Sequence, residues 1–221
     1  MTFNEYISKY HISLNAQQME ALQIMSGQTL LLAVPGSGKT TVVITRVGYL
    51  ILVHKVKASS ILTITFSKAA AIEMKERFAK KFGSSIGTPK FSTIHSLCVS
   101  ILNYAKKMRG MKIPKLEQDN KRIIRKVLYD ATNIWPQDNL ITELTLLLSN
   151  AKNRLLTEKQ IDAIKCFELS REYKGISFSD FYHMYKKYKQ DNELMDFDDQ
   201  LLMAYDALLN YGAVLNHFQH S

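Results

Sequence analysis

Residues 33–40, called the phosphate loop below, have the composition and spacing of a turn that binds phosphate. The run reads AVPGSGKT, which follows the pattern G-x-x-x-x-G-K-[ST] except that Ala33 replaces the first glycine. In such a turn successive backbone N–H groups bind phosphate oxygens, Lys39 reaches the β and γ phosphates, and the Thr40 hydroxyl ligates Mg²⁺. The glycines let the backbone approach the ligand because they have no Cβ. The predicted nucleotide contacts are Pro35, Gly36, Ser37, Gly38, Lys39, Thr40 and Thr41.

The turn needs a strand before it and a helix after it. The apolar run TLLLAV at 29–34 predicts a buried parallel strand, and the segment that begins at Lys39 predicts a helix despite its β-branched residues. A second buried strand is predicted at 60–66, followed by an alanine-rich helix that Gly83 closes. Strand, helix, strand and helix in this order predict parallel strands with a right-handed crossover.

The flanking segments extend this α/β pattern. Asn15 and Gly27 are the predicted N-cap and C-cap of one helix, PKFST at 89–93 is a predicted third strand, and Thr93 is the predicted cap of the next helix. Residues 105–190 show helical periodicity with little strand signal. The sequence therefore predicts an α/β core formed by residues 1–104 and 191–221, with an all-helical insertion at 105–190.

Composition narrows the class of protein. The 221 residues are 46% hydrophobic with a net charge of +9, which fits either a nucleic-acid partner or a basic surface that aids solubility. The two cysteines match no metal or redox spacing and are expected to be buried thiols. No apolar run approaches the roughly 20 residues of a membrane span, and the N-terminus lacks a signal peptide's apolar core. A cytoplasmic protein is the simplest expectation.

Five motifs in order resemble those of the UvrD/PcrA/Rep-type superfamily 1 DNA helicases. They are LNAQQMEAL (Q motif), AVPGSGKT (motif I), ILTITFSKAAAIEMKERF (motif Ia), STIHSLC (motif Ib) and MDFDDQLL, the segment that returns from the helical insertion. The resemblance implies a RecA-like P-loop NTPase fold. It also implies an ATP-dependent 3′-to-5′ DNA helicase of repair or replication that uses ATP and Mg²⁺ and binds single-stranded DNA and DNA junctions. A small-molecule kinase also uses a P-loop, but it would not explain this order of motifs.

The resemblance assigns two further residues to the nucleotide. Gln18 would hydrogen-bond the adenine edge, as a side-chain amide can. Arg46, on the helix after the phosphate loop, would lie near the nucleotide. An exposed glutamine at a helix start and a surface arginine are the alternatives.

The resemblance also implies that single-stranded DNA binds at the sheet edge that carries the phosphate loop. This binding site is called the DNA track below. Thr65, Phe66 and Ser67 end the second predicted strand there, and Thr93 and His95 would contact the DNA backbone. Phe66 could stack on a base, worth roughly 1–3 kcal/mol, although its position alone favours a core phenylalanine. A structural histidine is the alternative for His95.

The helical insertion would be the family's subdomain that touches duplex or single strand. SNAKN at 149–153 resembles a recurrent element there. A basic stretch could follow phosphates or form a solvated face; its residues are Lys106, Lys107, Arg109, Lys112 and Lys115. The DFDD aspartates at 196–199 lack the spacing of a calcium loop, and we interpret them as helix-start and structural carboxylates.

Two departures from the family pattern bear on the activity. Lys68 and Ala69 replace the usual Asn and Lys of motif Ia, a variant that also resembles the helicase half of AddA/RecB-type nucleases. In the family the returning helix leads to an acidic Walker B strand, whereas this sequence ends at YGAVLNHFQHS and contains no DExQ. The expectation is an N-terminal part that pairs with the remaining helicase domains and neither hydrolyses ATP nor unwinds DNA by itself. A stand-alone P-loop nucleotide-binding module is the alternative.

Overall fold

The computed structural model describes residues 1–25, 27–164 and 173–219, and it is a mixed α/β structure in which helices predominate. The helices are α1 (Phe3–Lys9), α2 (Ala16–Gln23), α3 (Lys39–Leu52), α4 (Lys68–Phe82), α5 (Ile94–Arg109), α6 (Asn120–Thr132), α7 (Asp138–Asn153), α8 (Glu158–Asp162), α9 (Phe178–Asp191), α10 (Phe197–Asn210) and α11 (Gly212–Gln219). The strands are β1 (Leu62–Thr65), β2 (Lys90–Thr93), β3 (Lys115–Leu116) and β4 (Leu194–Met195). Across these residues, every helix is too short or too polar to cross a membrane.

The chain divides into two compact units. Unit 1 comprises Met1–Leu97 and the stretch from His217 onward, and unit 2 comprises Cys98–Asn216. Unit 1 contains the phosphate loop and the parallel pair β1–β2, whereas unit 2 is built from helices and the short parallel pair β3–β4.

The β1–β2 pair confirms the predicted second and third strands, which run parallel. Leu62 pairs with Lys90 and Thr65 with Thr93, and α4 connects the two strands. The helix predicted between them is confirmed, with Ser67 as its N-cap and Gly83 at its C-cap. Instead of being buried, β1 is half exposed along its length, because Leu62 and Ile64 remain 43% and 46% accessible.

The strand predicted at 29–34 is wrong as secondary structure. This segment has no strand partner, and Leu30 and Leu32 are 83% and 82% exposed. A strand exists only when a neighbouring backbone takes up its hydrogen bonds. In the part of unit 1 that the structure describes, the sheet consists of β1 and β2 alone.

Helix α2 begins at its predicted cap and ends before its predicted C-cap. Asn15 accepts a hydrogen bond from the Gln18 N–H, which confirms Asn15 as the N-cap. The helix stops at Gln23, so the prediction of Gly27 as C-cap is wrong. The Arg46 guanidinium donates hydrogen bonds to the carbonyl oxygens of Ala21 and Leu22. In a longer helix these carbonyls would accept from the N–H groups of the next turn.

The core of unit 1 forms where α1, α2 and α4 meet α3. Its fully or nearly buried side chains are Tyr6, Ile12, Leu22, Ile44, Val47, Tyr49, Ile51, Met74, Phe78 and Phe82. The β-branched residues of α3 are therefore helical because they pack into this core. Gly48 makes the α3–α4 contact possible, since a Cβ there would lie 2.4 Å from the Phe82 ring. The Tyr6 hydroxyl donates to the Thr45 carbonyl at 2.6 Å and fixes α1 on α3.

The segments predicted as helical in the described part of unit 2 are helices α6, α7, α8 and α9, but the prediction of an all-helical stretch is wrong at Lys115–Leu116, which form strand β3. Helices α6, α7 and α9 surround a core of buried residues: Ile123, Ile124, Val127, Leu128, Ile141, Leu144, Leu148, Ala151, Ile161, Tyr173, Phe178, Phe181 and Tyr185. The predicted helix TEKQIDAIKCFEL is confirmed at Glu158–Asp162, and its part after 164 lies outside the described residues. Cys98 is a buried thiol as predicted, whereas Cys166 also lies outside them.

The DFDD segment builds a buried cluster of charges. Asp196 is the N-cap of α10 and forms a capping box with Asp199, which confirms both as helix-start carboxylates. The Lys152 ammonium lies 2.5 Å from Asp196 and 2.8 Å from Asp199, so the lysine of SNAKN is buried in ion pairs. Lys189 pairs with the same two carboxylates, and the Tyr185 hydroxyl donates to Asp196 at 2.9 Å.

The two lysines decide how Asp196 ionises. Burial by itself would raise the pKa of this carboxyl, but the charges of Lys152 and Lys189 outweigh that effect and hold the pKa well below its ordinary value. Asp196 is therefore ionised in the folded protein.

Candidate functional site

The phosphate loop folds in the way that its glycines predict. Gly36 and Gly38 have φ angles of +80° and +81°, in the left-handed region that L side chains rarely adopt. The Ser37 N–H donates to the Val34 carbonyl at 3.2 Å and closes the turn. A Cβ on Gly38 would also come within 3.2 Å of Gln18 Nε2. Both glycines are thus required by this backbone.

The phosphate loop leads directly into helix α3, whose first turn has no side-chain cap. Helix α3 begins at Lys39 with Gly38 as its N-cap, and no side chain caps its first turn. The first N–H groups of a helix lack intrahelical acceptors and carry partial positive charge, so they favour an anion. The hydroxyl of Ser37 is buried and has no hydrogen-bond partner among the described residues. These donors fit a phosphate group.

Lys39 lies across the mouth of the loop. Its ammonium donates to the Val34 carbonyl at 2.7 Å and to the Ala33 carbonyl at 3.2 Å. The side chain is exposed, so the same ammonium can reach a phosphate placed over the loop.

Thr40 and Thr41 follow Lys39 in the first turn of α3. Within the described ranges no three His, Cys, Asp or Glu side chains group into a metal site. The Thr40 hydroxyl is an oxygen ligand of the kind that Mg²⁺ takes, and its predicted role in holding the ion stays a prediction.

Gln18 joins helix α2 to the phosphate loop. Its Oε1 accepts from the Asn15 N–H at 3.0 Å, and its Nε2 donates to the Ser37 carbonyl at 2.9 Å. The half-buried side chain is a helix-start glutamine, but both ends of its amide are engaged. Asn15 was missed as a site residue, although the spacing N-x-x-Q of a capping box could have indicated it.

A pocket of about 590 Å³ lies where α2 and the phosphate loop meet. It is lined by Asn15, Gln17, Gln18, Leu31, Leu32, Ala33, Val34, Ser37, Lys39 and Val42. The volume suits a nucleotide-sized ligand, since such pockets measure about 300–1,000 Å³. The structure thus brings Gln18, Ser37 and Lys39 together around one cavity.

Arg46 lies elsewhere on α3. Its Nη1 donates to the Ala21 carbonyl at 2.8 Å and to the Leu22 carbonyl at 3.2 Å. It follows Lys39 by about 10 Å along the helix axis. These bonds join α3 to the end of α2, and Arg46 is absent from the lining of the pocket.

The predicted DNA-contact residues share one edge of the β1–β2 sheet. Thr65 and Thr93 are register partners at the carboxyl ends of the two strands. Phe66 follows Thr65 and is fully exposed at 101%, so the interpretation of Phe66 as a core residue is wrong. Ser67 caps α4 through a bond from the Ala70 N–H at 3.1 Å.

Helix α5 starts at the same edge. Thr93 accepts a hydrogen bond from the Ser96 N–H at 3.2 Å, which confirms it as the predicted cap. His95 is half-buried in the first turn of α5. Of the predicted basic stretch, Lys106, Lys107 and Arg109 are exposed, and Lys112 pairs with Glu193 at 3.2 Å.

Comparison with known proteins identifies similar sequences along nearly the whole chain. A family model described as UvrD/REP helicase N-terminal domain matches residues 14–221. A protein named ATP-dependent DNA helicase Rep, from Buchnera aphidicola subsp. Schizaphis graminum, is 30% identical over 214 residues, covering 94% of this chain and 31% of the relative. A Staphylococcus aureus protein named ATP-dependent DNA helicase PcrA is 32% identical over 210 residues, covering 94% of this chain.

A Mycoplasma capricolum protein named probable DNA helicase II homolog is 29% identical over 211 residues. The chain spans only part of these relatives, namely 31%, 29% and 28% of the Buchnera, Mycoplasma and Staphylococcus proteins.

Proposed function

Because the chain belongs to the UvrD/REP helicase N-terminal domain family, we propose that it is the nucleotide-binding and DNA-binding N-terminal part of an ATP-dependent DNA helicase. The observation that carries the proposal is the grouping of Gln18, Ser37 and Lys39 around one pocket at the uncapped start of α3. The relatives' names support ATP as the nucleotide and DNA as the substrate.

Lys39 and Thr40 are the proposed catalytic residues. The Lys39 ammonium turns from the Ala33 and Val34 carbonyls to the β and γ phosphates and neutralises their charge. The Thr40 hydroxyl would hold Mg²⁺. Bound ATP with Mg²⁺ supplies the phosphoryl group whose transfer to water releases the free energy that a helicase uses.

The remaining nucleotide contacts divide between phosphate and base. The backbone of Pro35, Gly36, Ser37 and Gly38 and the first turn at Lys39, Thr40 and Thr41 bind the phosphates. Gln18 recognises adenine through the second lone pair of Oε1 and the second N–H of Nε2, since the first of each is bonded to Asn15 and Ser37. Arg46, which the resemblance places near the nucleotide, is absent from the lining of this pocket and donates to the end of α2.

Single-stranded DNA is the proposed ligand of the β1–β2 edge. Thr65, Ser67, Thr93 and His95 are its proposed polar contacts. Thr65 and Thr93 are register partners, although Thr93 is buried. The exposed Phe66 ring offers a face on which a base can stack. The net charge of +9 for the whole chain favours a polyanionic partner.

The larger organisation follows the family. We propose a RecA-like core from residues 1–104 and 191–221 with a helical insertion at 105–190. The parent helicase would move 3′ to 5′ on single strands and junctions in the cytoplasm, in DNA repair or replication, together with its other helicase domains.

The test is a titration of a fluorescent ATP analogue with Mg²⁺, with and without a single-stranded oligonucleotide, while phosphate release is followed. We expect binding without measurable phosphate release, because no carboxylate lines the pocket to activate water among the residues described. Phosphate release that DNA stimulates would contradict this expectation.

Lys39→Ala provides the decisive variant. It should remove analogue binding and leave the circular dichroism spectrum and melting temperature unchanged, because the side chain is exposed. Lys75→Ala, an exposed lysine on α4, is the matched control and should bind as the wild type does. Equal affinity of Lys39→Ala and wild type would overturn the assignment of the phosphate site.

A further inference from the structure

We propose that Arg46 is a positioning residue for base recognition: it holds α2 against α3 and thereby keeps Gln18 beside the phosphate loop. This inference rests on the proposed nucleotide site and assigns Arg46 an action through α2 in place of direct contact with the nucleotide.

The need for such a residue follows from the length of α2. The helix has 8 residues, whereas isolated helices shorter than about 12–15 residues are marginal in water. Its single fully buried side chain is Leu22, near its C-terminal end. Helix α2 therefore depends on attachments to α3 for its position.

Arg46 provides the attachment at the C-terminal end. The last carbonyls of a helix have no intrahelical donor and carry partial negative charge. Ala21 and Leu22 present two of these carbonyls to one guanidinium nitrogen, at 2.8 Å and 3.2 Å. The cation thus caps α2 from a neighbouring helix, and both bonds are partly buried.

Gln18 provides the attachment at the N-terminal end. Its amide reaches the Ser37 carbonyl at 2.9 Å, and the capping box with Asn15 fixes the direction of the side chain. Gln18 and Ala21 are three residues apart on the same short helix, so a shift at one end moves the other. Losing the Arg46 bonds would displace Gln18 from the pocket.

The position of Arg46 argues against direct contact with phosphate. It lies about 10 Å beyond Lys39 along α3, and its recorded hydrogen bonds end on α2. The pocket is lined by Gln18, Ser37 and Lys39 without Arg46. The consequence is a separation of roles, in which Lys39 determines phosphate affinity and Arg46 determines base selectivity.

The first test compares the affinities of ATP, GTP and inorganic tripolyphosphate for wild type, Gln18→Ala, Arg46→Ala and the double variant. Arg46→Ala should lose about tenfold in ATP affinity and lower the ATP-to-GTP ratio to the level of Gln18→Ala, as expected for one lost hydrogen-bonded contact. Tripolyphosphate affinity should not change. The double variant should match Gln18→Ala, and Arg46→Lys, which keeps a donor, should recover part of the ratio.

Two results would overturn the role of Arg46. One is a loss of tripolyphosphate affinity equal to the loss for ATP, and the other is additive losses in the double variant. Arg77→Ala, an exposed arginine on α4 paired with Glu73, is the matched control and should leave all three affinities unchanged. Failure of the nucleotide site itself would show in a different comparison, namely equal binding by wild type and Lys39→Ala.

The second test needs no nucleotide. Amide hydrogen exchange in Arg46→Ala should become faster both in α2 and in residues 34–41, with α4 unchanged. Gln18→Ala should affect residues 34–41 most. If residues 34–41 of Arg46→Ala exchanged their amide hydrogens at the wild-type rate, the proposal would be contradicted, whatever the nucleotide affinity of the variant is.

Discussion

At the scale of the residue, exposure separates side chains that hold the fold from those that are available to ligands. Phe66 is a large aromatic residue with no buried surface, and it sits directly after β1 beside the polar ends of both strands. Keeping such a ring in water gains no hydrophobic free energy for folding. Base stacking is the interaction that the proposed DNA track would provide for this ring.

Phe66→Ala tests this role directly. The variant should bind single-stranded DNA more weakly by roughly 1–3 kcal/mol, the value of one base–aromatic stack, in a fluorescence anisotropy titration. Its melting temperature should equal that of wild type. Ile72→Ala removes another exposed apolar side chain, on α4, and should leave DNA affinity unchanged. An unchanged affinity of Phe66→Ala would remove Phe66 from the track.

At the scale of the element, unit 2 joins three helices through charge. Asp196 at the start of α10 contacts Lys152 of α7 and Lys189 of α9. Bringing these ions out of water is costly, and the cost is met only while every partner is present. The cluster therefore fixes the three helices in one arrangement, because a lysine that lost its carboxylate would remain buried and uncompensated.

Asp196→Asn should lower the free energy of unfolding by about 3–5 kcal/mol at neutral pH, as for a broken buried ion pair. Urea denaturation at several pH values is the measurement. In wild type the depressed pKa of Asp196 contributes stability that is complete above its unfolded value of about 4 and is lost as the pH falls below it.

The variant should lack this loss between about pH 4 and pH 2, because an amide does not titrate in that range. Asp206→Asn changes an exposed aspartate of the same helix and should behave as wild type. A wild-type free energy of unfolding in Asp196→Asn at neutral pH would mean that the cluster adds nothing to stability.

At the scale of the whole molecule, the net charge follows directly from the amino-acid composition. The surplus of nine positive charges is large for a chain of 221 residues, and the lysines and arginines just after position 105 are exposed. A polyanion that binds such a surface releases condensed counterions, so its affinity depends on salt.

Single-stranded DNA affinity should therefore fall steeply between 50 and 200 mM salt, with a logarithmic slope of about −0.7 for each phosphate contacted. Anisotropy titrations at several salt concentrations give this slope. An oligonucleotide with an uncharged methylphosphonate backbone is the control and should show little salt dependence. An affinity for ordinary DNA that does not change with salt would exclude the exposed lysines and arginines after position 105 as phosphate contacts.

The sequence by itself determined the features that depend on neighbouring residues. The glycine spacing of the phosphate loop, the caps at Asn15 and Thr93 and the helical periodicity of α6, α7 and α9 follow from local backbone hydrogen bonding and side-chain spacing. The order of the motifs likewise identified the family before any geometry was known.

The tertiary structure decided the features that depend on residues far apart in the chain. The apolar run at 29–34 has no strand partner, and Phe66 is exposed. Arg46 bonds to the end of α2, and Lys152 pairs with Asp196. The physical reason is that hydrogen-bond pairing and burial depend on which distant residues come into contact in the fold. The sequence gives only the preference of each residue for such contacts.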